Sequence, residues 1–253
     1  MATYTISKSF NWQLKITDKN SAVMRMFGLT VDRFQKATTH SCKIEIRDGD
    51  IIYITGPSGA GKTILLKELE KSIPSSQRVN LSKIRLPRDR SLVDCINADL
   101  MTSLQMLSIA GLNDCFCILN QPANLSDGQK YRFRLAMALA AKKKFVFADE
   151  FCAALDRITA AAIAYNIHKF AKRTSTVFIL ASSHDDILLD LSPNVLVVKE
   201  LCGPTQVSYK VNPPNVWRIN PLMADKNSKP PSSPRPRRTE PFAASAKKGK
   251  TQN

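Results

Sequence analysis

Eight residues, Gly56-Pro-Ser-Gly-Ala-Gly-Lys-Thr63, constrain this chain more than any other stretch. Two glycines separated by four residues, then lysine and a hydroxyl residue, follow the apolar run Ile51-Ile-Tyr-Ile-Thr55 and open a helix-forming run from Lys62 to Ser72. A strand, a glycine-rich loop and a helix in that order let backbone N–H groups curl around an anion while the positive end of the helix points at it. Gly56, Pro57, Ser58, Gly59, Ala60 and Gly61 then form the cradle. Lys62 reaches the β- and γ-phosphates of a nucleotide, and the Thr63 hydroxyl ligates Mg²⁺.

A phosphate loop needs a buried strand behind it, and the chain can supply several. Phe145-Val-Phe-Ala148 and Thr176-Val-Phe-Ile-Leu-Ala181 are, like Ile51–Thr55, short runs rich in β-branched and aromatic residues. Such runs suit strands covered on both faces, as in a parallel sheet with helices on each side. Lys43-Ile-Glu-Ile-Arg47 alternates with a period of two and ends at Asp48-Gly49, which predicts a half-buried strand and a turn. Helices are expected over Lys62 to Ser72, Leu92 to Leu112, Asp127 to Lys142 and Thr159 to Lys172. The class is α/β.

Composition sets the outer limits. At 253 residues, 43% hydrophobic and 23% charged, the chain suits one moderate domain or two small ones, and neither wholesale disorder nor a polytopic membrane protein. No stretch is long and apolar enough to span a membrane, and Met1 to Phe10 lacks a basic end followed by an apolar run, so a cytoplasmic location is expected. Six scattered cysteines include only one close pair, Cys115 and Cys117, without the spacing or second pair of a zinc site. They are expected to be reduced and mostly buried. The net charge of +16 is uneven: residues 226–253 carry eight Lys/Arg and one Glu, with proline, serine and a single aromatic. That segment is expected to be a disordered basic tail, residues 212–225 a linker beginning at Asn212-Pro-Pro-Asn215, and residues 1–211 the folded domain.

Three further motifs follow the phosphate loop. Phe145-Val-Phe-Ala-Asp-Glu150 is an apolar strand ending in two carboxylates. Side chains alternate along a strand, so Asp149 can serve a metal ion while Glu150 faces an attacking water as general base. Taken alone, the pair reads equally well as a strand entering a solvated loop. Asn124-Leu-Ser-Asp-Gly-Gln129 precedes a helical run, and Ser126 before Asp127-Gly128 makes an N-cap whose free N–H groups, hydroxyl and dipole offer a second anion site. Ala181-Ser-Ser-His184 ends the third apolar strand. His40 and His168 have no such setting and read as structural.

In order and spacing, these motifs resemble those of the ABC ATPase superfamily, whose signature is L-S-G-G-Q. The resemblance implies a P-loop NTPase of ABC type: a mostly parallel sheet flanked by helices, an antiparallel β portion near the N-terminus, and a reduced helical subdomain at about residues 90–140. It implies ATP and Mg²⁺, with Thr63 and Asp149 on the metal and Lys62, Glu150 and the switch histidine His184 in catalysis. Ser126, Gly128 and Gln129 would serve the nucleotide of a second copy in a head-to-tail homodimer. Ala153-Ala-Leu-Asp156 resembles the segment that crosses that interface. Phe34, with Phe27 as alternate, stands where the adenine-stacking aromatic is expected; either could equally be core.

One departure bears on partners. Where the family carries a glutamine that touches Mg²⁺ and the transport machinery, Ile84-Arg-Leu-Pro-Arg-Asp-Arg-Ser-Leu-Val-Asp94 places Arg88. The strings around Leu86–Asp94, Leu125–Ala136 and Ala148–Arg157 resemble a soluble branch, some of whose members are fused to a predicted GNAT-type acetyltransferase domain. That implies an ATPase without an attached membrane domain, and a possible acyltransferase-like partner. The alternatives are the nucleotide-binding subunit of a transporter, or an ATP-driven machine contacting nucleic acid through the basic tail.

Overall fold

A computed structural model of the chain describes residues 1–10, 15–30, 38–201, 203–211 and 216–219. The main sheet is built around β3 (Ile51–Thr55), whose five residues are all buried. Ile51 and Tyr53 face one hydrophobic cluster and Ile52 and Ile54 the other, because successive side chains of a strand point to opposite faces. Both faces are covered, which is why the run lacks polar alternation.

Parallel neighbours of β3 are β6 (Val177–Ala181) and β7 (Val195–Val198); β6 pairs with β5 (Phe145–Ala148), and β5 with β4 (Arg78–Asn80). Antiparallel β8 (Gln206–Val211) and β9 (Val216–Ile219) complete the described order β4-β5-β6-β3-β7-β8-β9. A separate antiparallel pair joins β1 (Ala2–Phe10) to β2 (Thr38–Ile46). The expected α/β architecture, with an antiparallel portion near the N-terminus, is what forms.

On one face, β1 and β2 pack with α2 (Lys62–Ser72), whose Leu65, Leu66 and Leu69 enter the cluster of Ile44, Ile52 and Phe147. The end of α2 is fixed by a buried carboxylate. Glu70, 4% exposed, accepts from Lys83 Nζ at 2.5 Å and Asn80 Nδ2 at 2.9 Å. These bonds tie the helix to β4 and satisfy a charge that burial would otherwise penalise. A short α1 (Asp18–Met26) is capped by Thr17.

The opposite face carries α3 (Leu92–Cys95), α4 (Leu100–Ile109), α5 (Cys115–Ile118), α6 (Asp127–Ala140), α7 (Arg157–Thr174) and α8 (Leu188–Leu191). Phe133, Leu135 and Leu139 of α6 and Ile163, Ile167 and Phe170 of α7 join Ile51, Val146 and Phe178 in its core.

Two expectations are corrected. A single helix over Leu92 to Leu112 breaks into α3 and α4, because Asp99 turns its side chain onto the N–H of Thr102 and starts a new helix. The sheet also continues past residue 211 into β9, so part of the stretch read as linker is strand. The basic tail lies outside the described residues. Among the described residues no helix is long and apolar enough to cross a membrane. Cys42, Cys117 and Cys152 are buried, Cys95 is half-buried and Cys115 exposed, all as free thiols.

Candidate functional site

Three neighbouring strands, β5, β6 and β3, end at one edge of the sheet, and their following loops carry the Asp-Glu pair, the Ser-Ser-His segment and the phosphate loop. The carboxyl ends of parallel strands are where open α/β sheets bind ligands. A cavity of about 410 Å³ lies there, lined by Gly59, Gly61, Lys62, Thr63, Asp149, Glu150, Ser182 and Ser183 among others. Lys62 and Thr63 are thus brought together with Asp149 and Glu150, far apart in the chain.

The loop's shape is forced by close approach. At Gly56, with φ +141°, an added Cβ would lie 1.9 Å from the carbonyl oxygen of Lys199, which follows β7. No side chain fits. Gly61, with φ +97°, stands against the His40 ring, which an added Cβ would meet at 2.5 Å. Gly61 also caps α2 in a left-handed conformation, so the helix's first amides, which have no partner within the helix, face the loop. Lys62 Nζ donates to the carbonyls of Gly56 and Pro57 at 2.7 and 2.9 Å, folded across the cradle.

His40, read from the sequence as structural, packs against the phosphate loop at Gly61. It begins to be legible only once β2 is laid against α2. Its ring is 7% exposed, and burial, then the charge of Lys199, lowers its pKa from the ordinary 6.5. His168, by contrast, has a structural setting, with Nδ1 3.0 Å from the Leu191 carbonyl.

Asp149 and Glu150, which follow β5, both line the cavity. Glu150 adopts a left-handed φ of +50°, unusual for a residue with a Cβ, and its N–H donates to Asp149 Oδ1 at 3.2 Å. Thr63 and Asp149 put two hard oxygen donors on one cavity wall beside Lys62. Among the described residues no group of three His, Cys, Asp or Glu is placed to hold a metal ion. A hydroxyl and a carboxylate, both hard oxygen donors, fit Mg²⁺, which keeps several waters and takes phosphate oxygens.

His184 does not line this cavity. Its exposed side chain faces an adjoining one of about 160 Å³, with Phe151, Cys152, Leu155, Arg157 and Asp186; Ala153 borders both. Its loop is nonetheless fastened to β3, since the Tyr53 hydroxyl donates to the His184 carbonyl and the Thr55 hydroxyl to Asp185. No sequence signal marked these two hydroxyls.

Ser126 caps α6 through a capping box: its hydroxyl accepts from the Gln129 N–H at 3.3 Å, while Gln129 Oε1 accepts from the Ser126 N–H at 2.9 Å. Gly128 lies against the Ala153–Asp156 segment, where an added Cβ would meet Leu155 Cδ2 at 3.4 Å. Ser126, Gly128 and Gln129 are not among the lining of the phosphate-loop cavity of their own chain. Arg88 is exposed. Phe34 lies outside the described residues, and the alternate Phe27 is 74% exposed at the end of α1.

No family model matches the chain. It is similar to the zinc import ATP-binding protein ZnuC of Wolbachia sp. subsp. Brugia malayi, 26% identical over 206 residues, covering 73% of this chain and 82% of the relative. The aliphatic sulfonates import ATP-binding protein SsuB 1 of Paracoccus denitrificans is 26% identical over 196 residues, covering 71% and 79%. Among solved structures, the bacterial ABC transporter cassette MJ0796, a dimer, superposes with a TM-score of 0.53 at 16% identity, over 66% of this chain and 93% of that one. The architecture is that of an ABC ATPase cassette.

Proposed function

We propose that the chain is a cytoplasmic ABC-type ATPase that binds and hydrolyses MgATP between two copies arranged head to tail. The observation that carries the reading is the single cavity in which the phosphate loop, Thr63, Asp149 and Glu150 converge. Lys62 swings from the Gly56 and Pro57 carbonyls to the β- and γ-phosphates, exchanging two neutral acceptors for charged ones. Thr63 and Asp149 would hold Mg²⁺, which when bound neutralises charge on the phosphate oxygens. Glu150 accepts the proton of the attacking water, and His184, from the adjoining cavity, turns toward the γ-phosphate on closure. Ser126, Gly128 and Gln129, outside the lining of their own chain's cavity, present a helix N-terminus to the nucleotide of the other copy.

ATPase activity is further supported by relatives named as ATP-binding proteins and by the MJ0796 cassette solved in a post-hydrolysis state bound to ADP and Pi. Two readings of the coupled partner differ. Arg88 in the place of the usual glutamine favours an ATPase working without a membrane partner, on an acyltransferase-like protein or on nucleic acid bound by residues 226–253. The relatives' names favour the nucleotide-binding subunit of an importer.

One set of measurements tests the core of this reading. By calorimetry, Lys62→Ala should lose MgATP binding; by turnover, Glu150→Gln should retain binding and slow on the order of 10²- to 10⁴-fold. By light scattering, Glu150→Gln should dimerise with ATP and not with ADP. Unaltered affinity in folded Lys62→Ala rules out the nucleotide site, and a monomer at saturating ATP rules out the closed dimer.

A further inference from the structure

We propose that Tyr131 is a positioning residue for Glu150, joining the helix that carries Ser126 and Gln129 to the strained turn that presents the catalytic carboxylate. The inference rests on the ATPase reading above and extends it within one chain.

The turn after β5 is unusual in its backbone. Glu150 and Cys152 both adopt left-handed conformations, with φ of +50° and +59°, although each has a Cβ. Such residues persist only where their surroundings over-determine them. Phe151 between them is fully buried and donates its N–H to the Ala181 carbonyl at 2.8 Å, which anchors the turn to β6. Within the segment, Ala153 donates to the Glu150 carbonyl and Leu155 to the Cys152 carbonyl.

The remaining bond comes from a different element. The Cys152 N–H donates to the Tyr131 hydroxyl oxygen at 3.0 Å, across 21 positions of sequence. Burial keeps the Cys152 thiol and the Tyr131 phenol neutral: it pushes the thiol up to about 12 and the phenol well above its ordinary value. One oxygen on α6 thus holds the backbone of Cys152.

Tyr131 stands three residues after Gly128, on the same face of α6. Gly128 itself lies against Leu155 and the Ala154 carbonyl. The face of α6 that follows the Ser126 cap therefore grips the segment at two points, and any shift of α6 on meeting a second copy's nucleotide is passed to Glu150 through the Tyr131 oxygen. An aliphatic residue at 131 would fill space and transmit nothing directional.

The test is a cycle of variants in the full chain, with turnover and ATP affinity measured separately. Tyr131→Phe removes only the oxygen, and its kcat should fall roughly ten- to a hundredfold, the effect of a small misplacement of a catalytic group. ATP affinity and KM should stay within about twofold of wild type, because the phosphate loop is untouched. In a Glu150→Gln background, Tyr131→Phe should cause no further loss. Cys152→Ala keeps the N–H and opens a cavity, so it should lower the melting temperature yet retain near-wild-type kcat. An unchanged kcat in Tyr131→Phe, an equal loss in both backgrounds, or an equal loss in Cys152→Ala would each overturn the proposal while leaving the ATPase reading intact. A wild-type chain without turnover would overturn that reading and this inference with it.

Discussion

Gly61 shows how much of the site depends on one missing side chain. Its φ of +97° lies where a Cβ is strained, and that Cβ would meet the His40 ring at 2.5 Å. Gly61→Ala should therefore strain the loop by about 1–3 kcal/mol and weaken MgATP binding in a protein that still folds. Calorimetry on a variant with wild-type circular dichroism decides it, and an affinity equal to wild type would show that the loop re-forms around the methyl group. His40 belongs to the same contact. Its folded pKa is below the unfolded value, so it supplies stability at pH above about 6.5 that is lost as pH falls through the folded value. His168 is lowered in the same direction, by burial and then by Lys172. The melting temperature should drop between pH 7.5 and 5.5, and a His40→Gln/His168→Gln double variant should flatten that slope. A slope unchanged by the double substitution would assign the acid sensitivity to other groups.

At the scale of elements, α6 has two separable duties. Its capping box satisfies two donors at the helix start, a contribution of about 1 kcal/mol in helices generally, and its Ser126, Gly128 and Gln129 are not among the lining of the chain's own phosphate-loop cavity. Ser126→Ala should lower stability by about 1 kcal/mol and leave ATP binding by the monomer unchanged. Ser126→Arg, in the Glu150→Gln background, should block ATP-dependent dimerisation as well, because a bulky cation would occupy the anion site. Dimers of normal size with Ser126→Arg, seen by light scattering, would remove α6 from the interface. The order β5-β6-β3 is the other element-level device, since it sets the Ser182–His184 loop between the phosphate loop and the Asp-Glu pair. Hydroxyls of Tyr53 and Thr55 on the central strand then fix that middle loop from below.

For the whole molecule, the unanswered matter is what the ATPase drives, and the net charge of +16 is the handle. Residues 226–253 hold +7 of it and lie outside the described residues. Deleting them should leave ATP affinity and thermal stability nearly unchanged. If that segment meets DNA or RNA, the deletion should weaken binding and reduce the slope of log K against log salt by roughly 2–5 units, fewer than its charges, since not every charge makes a contact. Titrations at several salt concentrations settle this, and equal slopes for the full-length and shortened chains would leave the nucleic-acid reading without its carrier.

What the sequence determined by itself is what short-range chemistry determines. Gly56 to Thr63 specify a loop and a helix start because backbone freedom and anion binding are local; Ile51–Thr55 and Phe145–Ala148 declare buried strands by composition; Ser126 before Asp127-Gly128 announces a helix cap. β4, β7 and the separation of α3 from α4 were less legible, being short or decided by a single Asp99 hydrogen bond. Only the tertiary structure could decide that Lys199 lies under Gly56, that His40 stands against Gly61, that His184 opens onto a neighbouring cavity, and that Tyr131 reaches the turn of Glu150. The Lys199, His40 and Tyr131 contacts join residues 21 or more positions apart, and they exist because sheet order and register bring the segments together. No periodicity or motif in either segment carries that information.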